Sequence, residues 1–382
     1  MITFDARTQI IISDDPKEAV GSSLDIEGAK KVALFLDEAV RDSEPARELV
    51  KFLKSKFEVS YYGVRAIEPT TDIVNEYASR VKACIPDVIV GVGGGSVIDL
   101  CKAVSVVAVN EGTVEDYHGT GKKFLRGIKK IMVPTTAGTG SEVTQGAVLI
   151  NKATKFKRAI GGKYVAVDYA VLSAPLTVSM PDSVTASTGM DALGHAIESY
   201  TAKCANEITR MYSSNAFRII YRSLQAVLKG DPDIALRRDM LIGSCLAGCA
   251  IYNSNTGAAH SMAYPLGIYN EVPHGLAVAK LLPEVVRLNI EKGCYEYAGL
   301  YRLIEGARTG GDARSDSESF QAALGSYPPL KYLNKTFSDY GIGKDNYEFL
   351  AERGLDLKSA LSNNPVPFTL DDAKAVLLKL IK

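Results

Sequence analysis

PDVIVGVGGGSVIDLCK, residues 86–102, decides the fold. A short apolar run, VIVGV, leads into Gly93-Gly94-Gly95-Ser96 and then into IDLCK, whose apolar spacing is helical. Strand, glycine turn and helix in that order open a βα unit. Glycines lack a Cβ, so their N–H groups can approach a phosphate closely, and a helix start adds partial positive charge. A tight strand-to-helix turn also needs glycine, and the spacing is not GxGxxG, so both readings stand at this point. Asp99 falls in the first turn of the helix, where an acid suits the dipole.

The same rhythm extends on both sides. KKVALFLD (30–37), FEVSYYGV (57–64) and KKIMVPTT (129–136) read as further strands. EPARELVKFLKSKF (44–57) and TDIVNEYASRVKAC (71–84) read as amphipathic helices between them. Alternating β and α elements argue for a mostly parallel sheet covered on both faces. TQIIIS (8–13) reads as a strand, and the rest of the first twenty-five residues shows little pattern. From SAPLTVSMPDS (173–183) onward the texture becomes long helices, with apolar residues three and four apart. The fold expected is therefore an α/β N-terminal domain, residues 1–180, with a mostly parallel sheet. An all-α domain, residues 181–382, is expected to follow it. ARTGGDARSDSES (307–319) reads as a polar loop in the helical half.

Composition removes several function classes. The chain has 382 residues, 46% of them hydrophobic, which is enough for a large core. Lys plus Arg and Asp plus Glu both number 44, so no basic footprint for nucleic acid appears. No apolar run reaches the length of a membrane span, and MITFDARTQIIISDD has no signal-peptide pattern. The six cysteines form no CxxC pair, which fits free thiols and a cytoplasmic location.

A second loop after a strand, PTTAGTGSEVT (134–144), carries Thr135, Thr136, Thr139 and Ser141. Hydroxyls at the carboxyl end of a parallel strand can bond a sugar or phosphate, and ligands collect there in open α/β sheets. A hydrogen-bonded turn is the plainer alternative. Asp37 ends the strand VALFLD, where an acid can take both ribose hydroxyls of adenosine and repel a 2′-phosphate, or can simply cap the next segment of chain.

In the helical half, GMDALGHAIESY (189–200) places Asp191 and His195 on one helix face, four residues apart. HSMAYPLGIYNEVPHG (260–275) adds His260 and His274, while His118 lies in a polar loop. Three of the chain's four histidines thus fall in this half. One carboxylate with three imidazoles suits Fe²⁺ or Zn²⁺, and also Mn²⁺ or Co²⁺.

Four segments in order, GGGSVIDLCK, PTTAGTGSEVT, GMDALGHAIESY and HSMAYPLGIYNEVPHG, together with the closing NNPVPFTLDDA, resemble the iron-containing (group III) alcohol dehydrogenase family. The resemblance implies a Rossmann-like, dinucleotide-binding N-terminal domain, an all-helical C-terminal metal domain and a cleft between them. It implies Asp191, His195, His260 and His274 as ligands of one divalent metal, Fe²⁺ or Zn²⁺. It places Gly94, Gly95 and Ser96 at the pyrophosphate of NAD, with Thr135, Thr136 and Thr139 around the nucleotide and, by looser alignment, Lys157 and Leu176. Asp37 matches the acid that favours NAD over NADP. Homodimers are common in the family. The activity implied is hydride transfer between an alcohol and NAD, giving an aldehyde.

Two departures stand out. Relatives often carry a further histidine where this chain has Tyr264, which is accordingly a tentative catalytic residue. Before His260, where relatives have an aromatic-containing stretch, this chain reads IYNSNTG. Tyr252, Asn253, Asn255 and Thr256 could make a polar pocket wall, or the amides could cap a helix. A polar wall would favour a polyhydroxylated or sugar-acid substrate with a primary alcohol. LKSALSNNPV (357–366) looks similar to the branch acting on 3-deoxy-octulosonate sugars. Glycerol-dehydrogenase-like polyol oxidation and dehydroquinate-synthase-like lyase chemistry are the alternatives on this scaffold. The lyase set of a Glu with two His fits this chain less well.

Overall fold

The computed structural model describes residues 3–65, 68–118 and 122–381. It divides into two units, Ala6–Met180 and Pro181–Lys382, and Met1–Asp5 group with the second. The first unit holds β1 (Gln9–Ile12), α1 (Pro16–Ile26), β2 (Lys31–Asp37), α2 (Glu44–Lys56), β3 (Glu58–Val64), α3 (Thr71–Cys84), β4 (Val88–Gly93), α4 (Gly95–Val107), β5 (Lys129–Pro134), β6 (Gly146–Asn151), β7 (Phe156–Gly161) and β8 (Tyr169–Leu172).

Six strands form a parallel sheet in the order β1-β8-β5-β4-β2-β3. Because strand side chains alternate, β2 sends Ala33 and Phe35 to one face and Val32, Leu34 and Leu36 to the other. Each set joins its own buried apolar cluster. A sheet covered on both faces needs strands apolar along their whole length, and β4 is buried at all six positions. β6 and β7 stand apart as an antiparallel hairpin.

α1 is a helix in the stretch that showed little pattern. Asp15 caps it by accepting the N–H of Lys17 at 2.9 Å, and Pro16 opens it.

The second unit holds α5 (Asp182–Thr201), α6 (Glu207–Leu228), α7 (Ile234–Ser254), α8 (Ala258–Asn270), α9 (His274–Glu291), α10 (Tyr297–Tyr301), α11 (Ala313–Gly325), α12 (Tyr347–Arg353), α13 (Lys358–Asn363) and α14 (Leu370–Leu380). α5 buries fourteen of its twenty residues. Its apolar and small residues run almost all round, as a central helix requires. The stretch 307–319 is only partly a loop. Asp312 accepts the N–H of Ser315 at 2.8 Å and starts α11, whose Phe320 and Leu324 are buried. No helix among the described residues is long and apolar enough to cross a membrane.

Candidate active site

The glycine turn of residues 93–96 lies where β4 ends and α4 begins. Gly94 is the N-cap of α4 and supplies no capping side chain, so a helix start stands open to an anion there. The second loop packs directly on this turn. A Cβ on Gly95 would stand 2.5 Å from Thr139 Oγ1, so only glycine permits that approach. The Thr135 N–H donates to Gly93 O at 3.0 Å, which ties the ends of β4 and β5 together. Thr135 is buried, and Thr136 and Thr139 are half-buried.

Asp37 is 5% exposed at the end of β2. Its Oδ1 accepts the N–H of Ala39 at 3.0 Å. Burial raises its pKa, and the N–H groups of Ala39 and Gly94 oppose that rise. The carboxylate is thus held against the glycine turn itself.

Asp99 and Ser141 meet inside the unit rather than at its surface. Ser141 Oγ donates to Asp99 Oδ1, and Asp99 Oδ2 accepts the N–H of Val148 at 2.9 Å. Lys102, fully buried, donates to Ser141 O at 2.9 Å, Ser141 Oγ at 3.0 Å and Thr144 Oγ1 at 2.9 Å, and lies 3.3 Å from Asp99 Oδ1. Burial depresses its pKa, and Asp99 counters. This network fixes the second loop on α4, so Asp99 and Ser141 shape the loops from behind. Lys102 and Thr144 were not read from the sequence, although Lys102 closes the GGGSVIDLCK segment. Lys157, on β7, is paired with Glu68 Oε1 at 2.5 Å. Leu176 is 1% exposed and belongs to an apolar cluster of the sheet.

In the helical unit, α5 carries Asp191 and His195, α8 carries His260, and α9 opens on His274. Donor atoms of Asp191, His195 and His260 all lie within 4.8 Å of one another. His260 Nε2 is 3.5 Å and His274 Nε2 is 3.6 Å from Asp191 Oδ1. The His195 and His260 rings stack at 4.5 Å. Asp191 and His260 are almost wholly buried, while the His274 side chain is 24% exposed and stands at the margin.

The donor set fits a metal. Asp191 Oδ1 and His260 Nε2 are buried with no hydrogen-bond partner, which is costly unless a cation takes their lone pairs. A tetrahedral ion bonding its donors at about 2.1 Å would hold neighbours roughly 3.4 Å apart, close to the two separations above. Burial raises the Asp191 pKa, but the histidines around it outweigh burial and hold the carboxyl below its usual range. Burial lowers that of His260, but Glu198 and Asp191 push it up to about 9. A divalent ion at Nε2 would take the place of the proton that these carboxylates favour.

Glu198 is the residue that sequence reasoning missed. It lies on α5, three residues past His195, and is 6% exposed. Its Oε2 is 2.5 Å from His260 Nδ1 and accepts the N–H of Gly257 at 2.8 Å, while Oε1 accepts that of Ala259 at 2.8 Å. A carboxylate on the far nitrogen of a ligating histidine fixes its tautomer and raises its basicity. The register along α5, seven residues from Asp191 and three from His195, was the available signal.

Tyr264, one turn along α8 from His260, meets the His274 ring edge-on at 5.6 Å. The expected polar wall is only partly there. Asn253 spends its amide on the N-terminal segment: its Oδ1 accepts the N–H of Asp5 at 2.7 Å, and its Nδ2 donates to Asp5 O and Cys249 O. Asn255 ends α7 in a left-handed conformation, φ 62°, and its Oδ1 accepts the N–H of Thr256. Both amides therefore serve the backbone.

Residues 7–174 match the iron-containing alcohol dehydrogenase family, and residues 185–381 match the C-terminal part of the Fe-containing alcohol dehydrogenase family. The chain is similar to long-chain-alcohol dehydrogenase 1 of Geobacillus thermodenitrificans (strain NG80-2), 35% identical over 300 residues that span 76% of this chain and 74% of that one. It is similar also to sulfoacetaldehyde reductase of Bilophila wadsworthia (strain 3_1_6), 31% identical over 322 residues, 83% and 82% of the two chains. A solved 1,3-propanediol oxidoreductase superposes with a TM-score of 0.92 at 29% identity, over 100% of both chains.

Proposed function

The chain belongs to the iron-containing alcohol dehydrogenase family, and we propose that within it the protein oxidises the primary alcohol of a small polar substrate, polyhydroxylated or acid-bearing, to an aldehyde, and runs the reverse reduction. That it is an NAD-dependent, metal-containing alcohol dehydrogenase follows from the family and its NAD-linked members. The ligand roles of Asp191, His195, His260 and His274 are this reading's own. The observation that carries them is the convergence of buried, unsatisfied acceptors on Asp191 and His260.

When bound, the metal polarises the substrate oxygen as a Lewis acid, and NAD accepts hydride from the carbon bearing that oxygen. The chain's own residues prepare both. Asp191, His195, His260 and His274 would hold the ion, and one carboxylate with three neutral imidazoles would offset only half of a divalent charge. Glu198 keeps His260 in the tautomer that presents Nε2. Gly95 and Ser96 offer N–H groups at the start of α4 for the pyrophosphate, Gly94 lets it approach the backbone, and Thr135, Thr136 and Thr139 lie beside them. Asp37 takes the ribose and disfavours a 2′-phosphate.

Support for the polar substrate comes from Tyr264, which sets a phenol edge-on against His274 at 5.6 Å. Two of the similar proteins are named for polar compounds, sulfoacetaldehyde and 1,3-propanediol, and one for long-chain alcohols. A site built to bond a second polar group leaves that group unpaired when offered a plain alkyl chain. The same reading takes the enzyme as a cytoplasmic homodimer. A substrate panel on metal-loaded protein, followed by NADH absorbance, tests it. Diols, polyols and hydroxy acids are expected to exceed ethanol, propanol and butanol in kcat/KM. A steady rise with alkyl chain length would overturn the polar substrate, and no turnover on any alcohol would overturn the reaction.

A further inference from the structure

We propose that Asn364, in the NNPVP segment near the C-terminus, is a positioning residue for the metal, acting on His260 through the first turn of α8. The inference rests on the ligand set proposed above and extends it to a motif with no assigned role.

The start of α8 is unusual in how it is capped. Its N-cap is Gly257, which has no side chain to offer. A helix start leaves four N–H groups without intrahelical partners. Here three successive ones are taken by side chains remote in sequence. Gly257 N and Ala259 N donate to the two oxygens of Glu198, and Ala258 N donates to Asn364 Oδ1 at 3.3 Å. A Cβ on residue 257 would stand 3.0 Å from Glu198 Oε1 and 3.3 Å from Asn364 Oδ1, so glycine is what lets both reach the backbone. His260 comes directly after this clamped segment, so the tilt of that turn sets where its Nε2 points.

Asn364 is itself held rigidly. It is 1% exposed. Its Nδ2 donates to Asn289 Oδ1 at 2.9 Å and to Val366 O at 2.9 Å, and its Oδ1 is also 3.4 Å from Asn289 Nδ2. Asn289, on α9 and also 1% exposed, donates onward to Tyr297 OH at 2.8 Å. Only a side-chain amide can accept from Ala258 and donate twice at the same place. An apolar residue of the same size would leave Ala258 N and Asn289 Oδ1 buried and unpaired. The C-terminal segment, α9 and the first turn of α8 are thus locked together around the backbone that carries a metal ligand.

The test is Zn²⁺ affinity of the full-length protein, measured by chelator competition, with NAD affinity and thermal melting followed in parallel. Asn364→Ala is expected to raise the Kd for Zn²⁺ about tenfold, the lower end of what outer-shell partners of metal ligands contribute. NAD affinity should stay unchanged. Asn289→Ala keeps the acceptor on Ala258 but loosens it, and should raise the Kd by less. A folded Asn364→Ala protein with unaltered Zn²⁺ affinity overturns the proposal, even with a lowered Tm, because Asn364 is then only a core amide. If Asn364→Ala does not fold, Asn289→Ala decides by the same criterion. Wild-type protein that binds no stoichiometric Zn²⁺ or Fe²⁺ would overturn the ligand set itself, an outcome distinct from wild type and variant binding equally well.

Discussion

Lys102 in the sheet unit and Asp191 in the helical unit are buried to a similar depth, 0% and 3% exposed. Around Lys102 the protein supplies every partner: the ammonium finds Ser141 O, Ser141 Oγ, Thr144 Oγ1 and Asp99, and Asp99 is closed off by Val148 N. Around Asp191 the neighbours are ring nitrogens of His260 and His274 at 3.5–3.6 Å, and Asp191 Oδ1 and His260 Nε2 make no hydrogen bond among the described residues. A buried polar group whose valence is used up inside the chain is scaffold. One left without a hydrogen bond beside other possible ligand atoms suits a cation. The loops at 93–96 and 134–144 are shaped from behind by the first kind of centre, and the proposed metal ligands lie at the second.

That contrast breaks most sharply under paired substitution. His260→Ala removes one donor of four, and bound metal should fall to about a tenth of an equivalent or less, with turnover lost in step. The fold should survive, because the helices around it are packed by apolar residues. Lys102→Met should do the opposite. It leaves Asp99 and Ser141 without their cation and is expected to cost about 3–5 kcal/mol of stability, with metal content intact. Elemental analysis and thermal melts of the two variants decide the matter. If Lys102→Met loses metal as readily as His260→Ala, the two centres are one system and the comparison fails.

The two centres also differed in how legible they were. Glycines and hydroxyls at strand ends are local signals, so the loops at 93–96 and 134–144 could be read directly. Asp191 and His195 were legible as a helical pair. Glu198 was not, because a glutamate in a helix resembles a solvated residue until its register against two ligands is noticed. Lys102 was hidden by the general rarity of buried lysine. Asn253 misled, since a polar residue before His260 suggested a pocket wall, and only three dimensions show its amide spent on Asp5. The start of α1 carried its signal, Asp15 then Pro16, but the apolar residues after it were too few to give a periodicity.

A smaller effect is expected at Asp37, which lies at the edge of the sheet unit's scaffold. Its carboxylate bonds Ala39 and approaches Gly94, so it belongs partly to the closed kind of centre. Its remaining lone pairs are free to meet a ribose. Asp37→Gly should raise the ratio of NADP to NAD turnover by about tenfold, the worth of a charge repulsion near 1.4 kcal/mol. An unchanged ratio would mean that the carboxylate is scaffold throughout, and nucleotide preference would have to be sought elsewhere.

Whether the centre around Lys102 is as closed as it looks can be read from the pH dependence of stability. Glu142 is 2% exposed beside that network. Burial pushes its pKa from 4.5 up to about 7, against its backbone hydrogen bond and the nearby charge of Lys102. The folded protein therefore keeps a proton on Glu142 over a range where the unfolded chain has released it. For an acid shifted upward, this stability is fully present below pH 4.5 and is lost as pH rises through about 7. The shift corresponds to at most about 3 kcal/mol across that window. Glu142→Gln carries no titrating proton and should lack the slope, so wild type should lose stability relative to the variant between pH 5 and pH 8. Thermal melts of both proteins across those values measure the difference. A difference flat with pH would show Glu142 ionised throughout and paired with Lys102. The sheet unit would then bury a charge pair held by mutual attraction rather than a lysine satisfied chiefly by neutral oxygens.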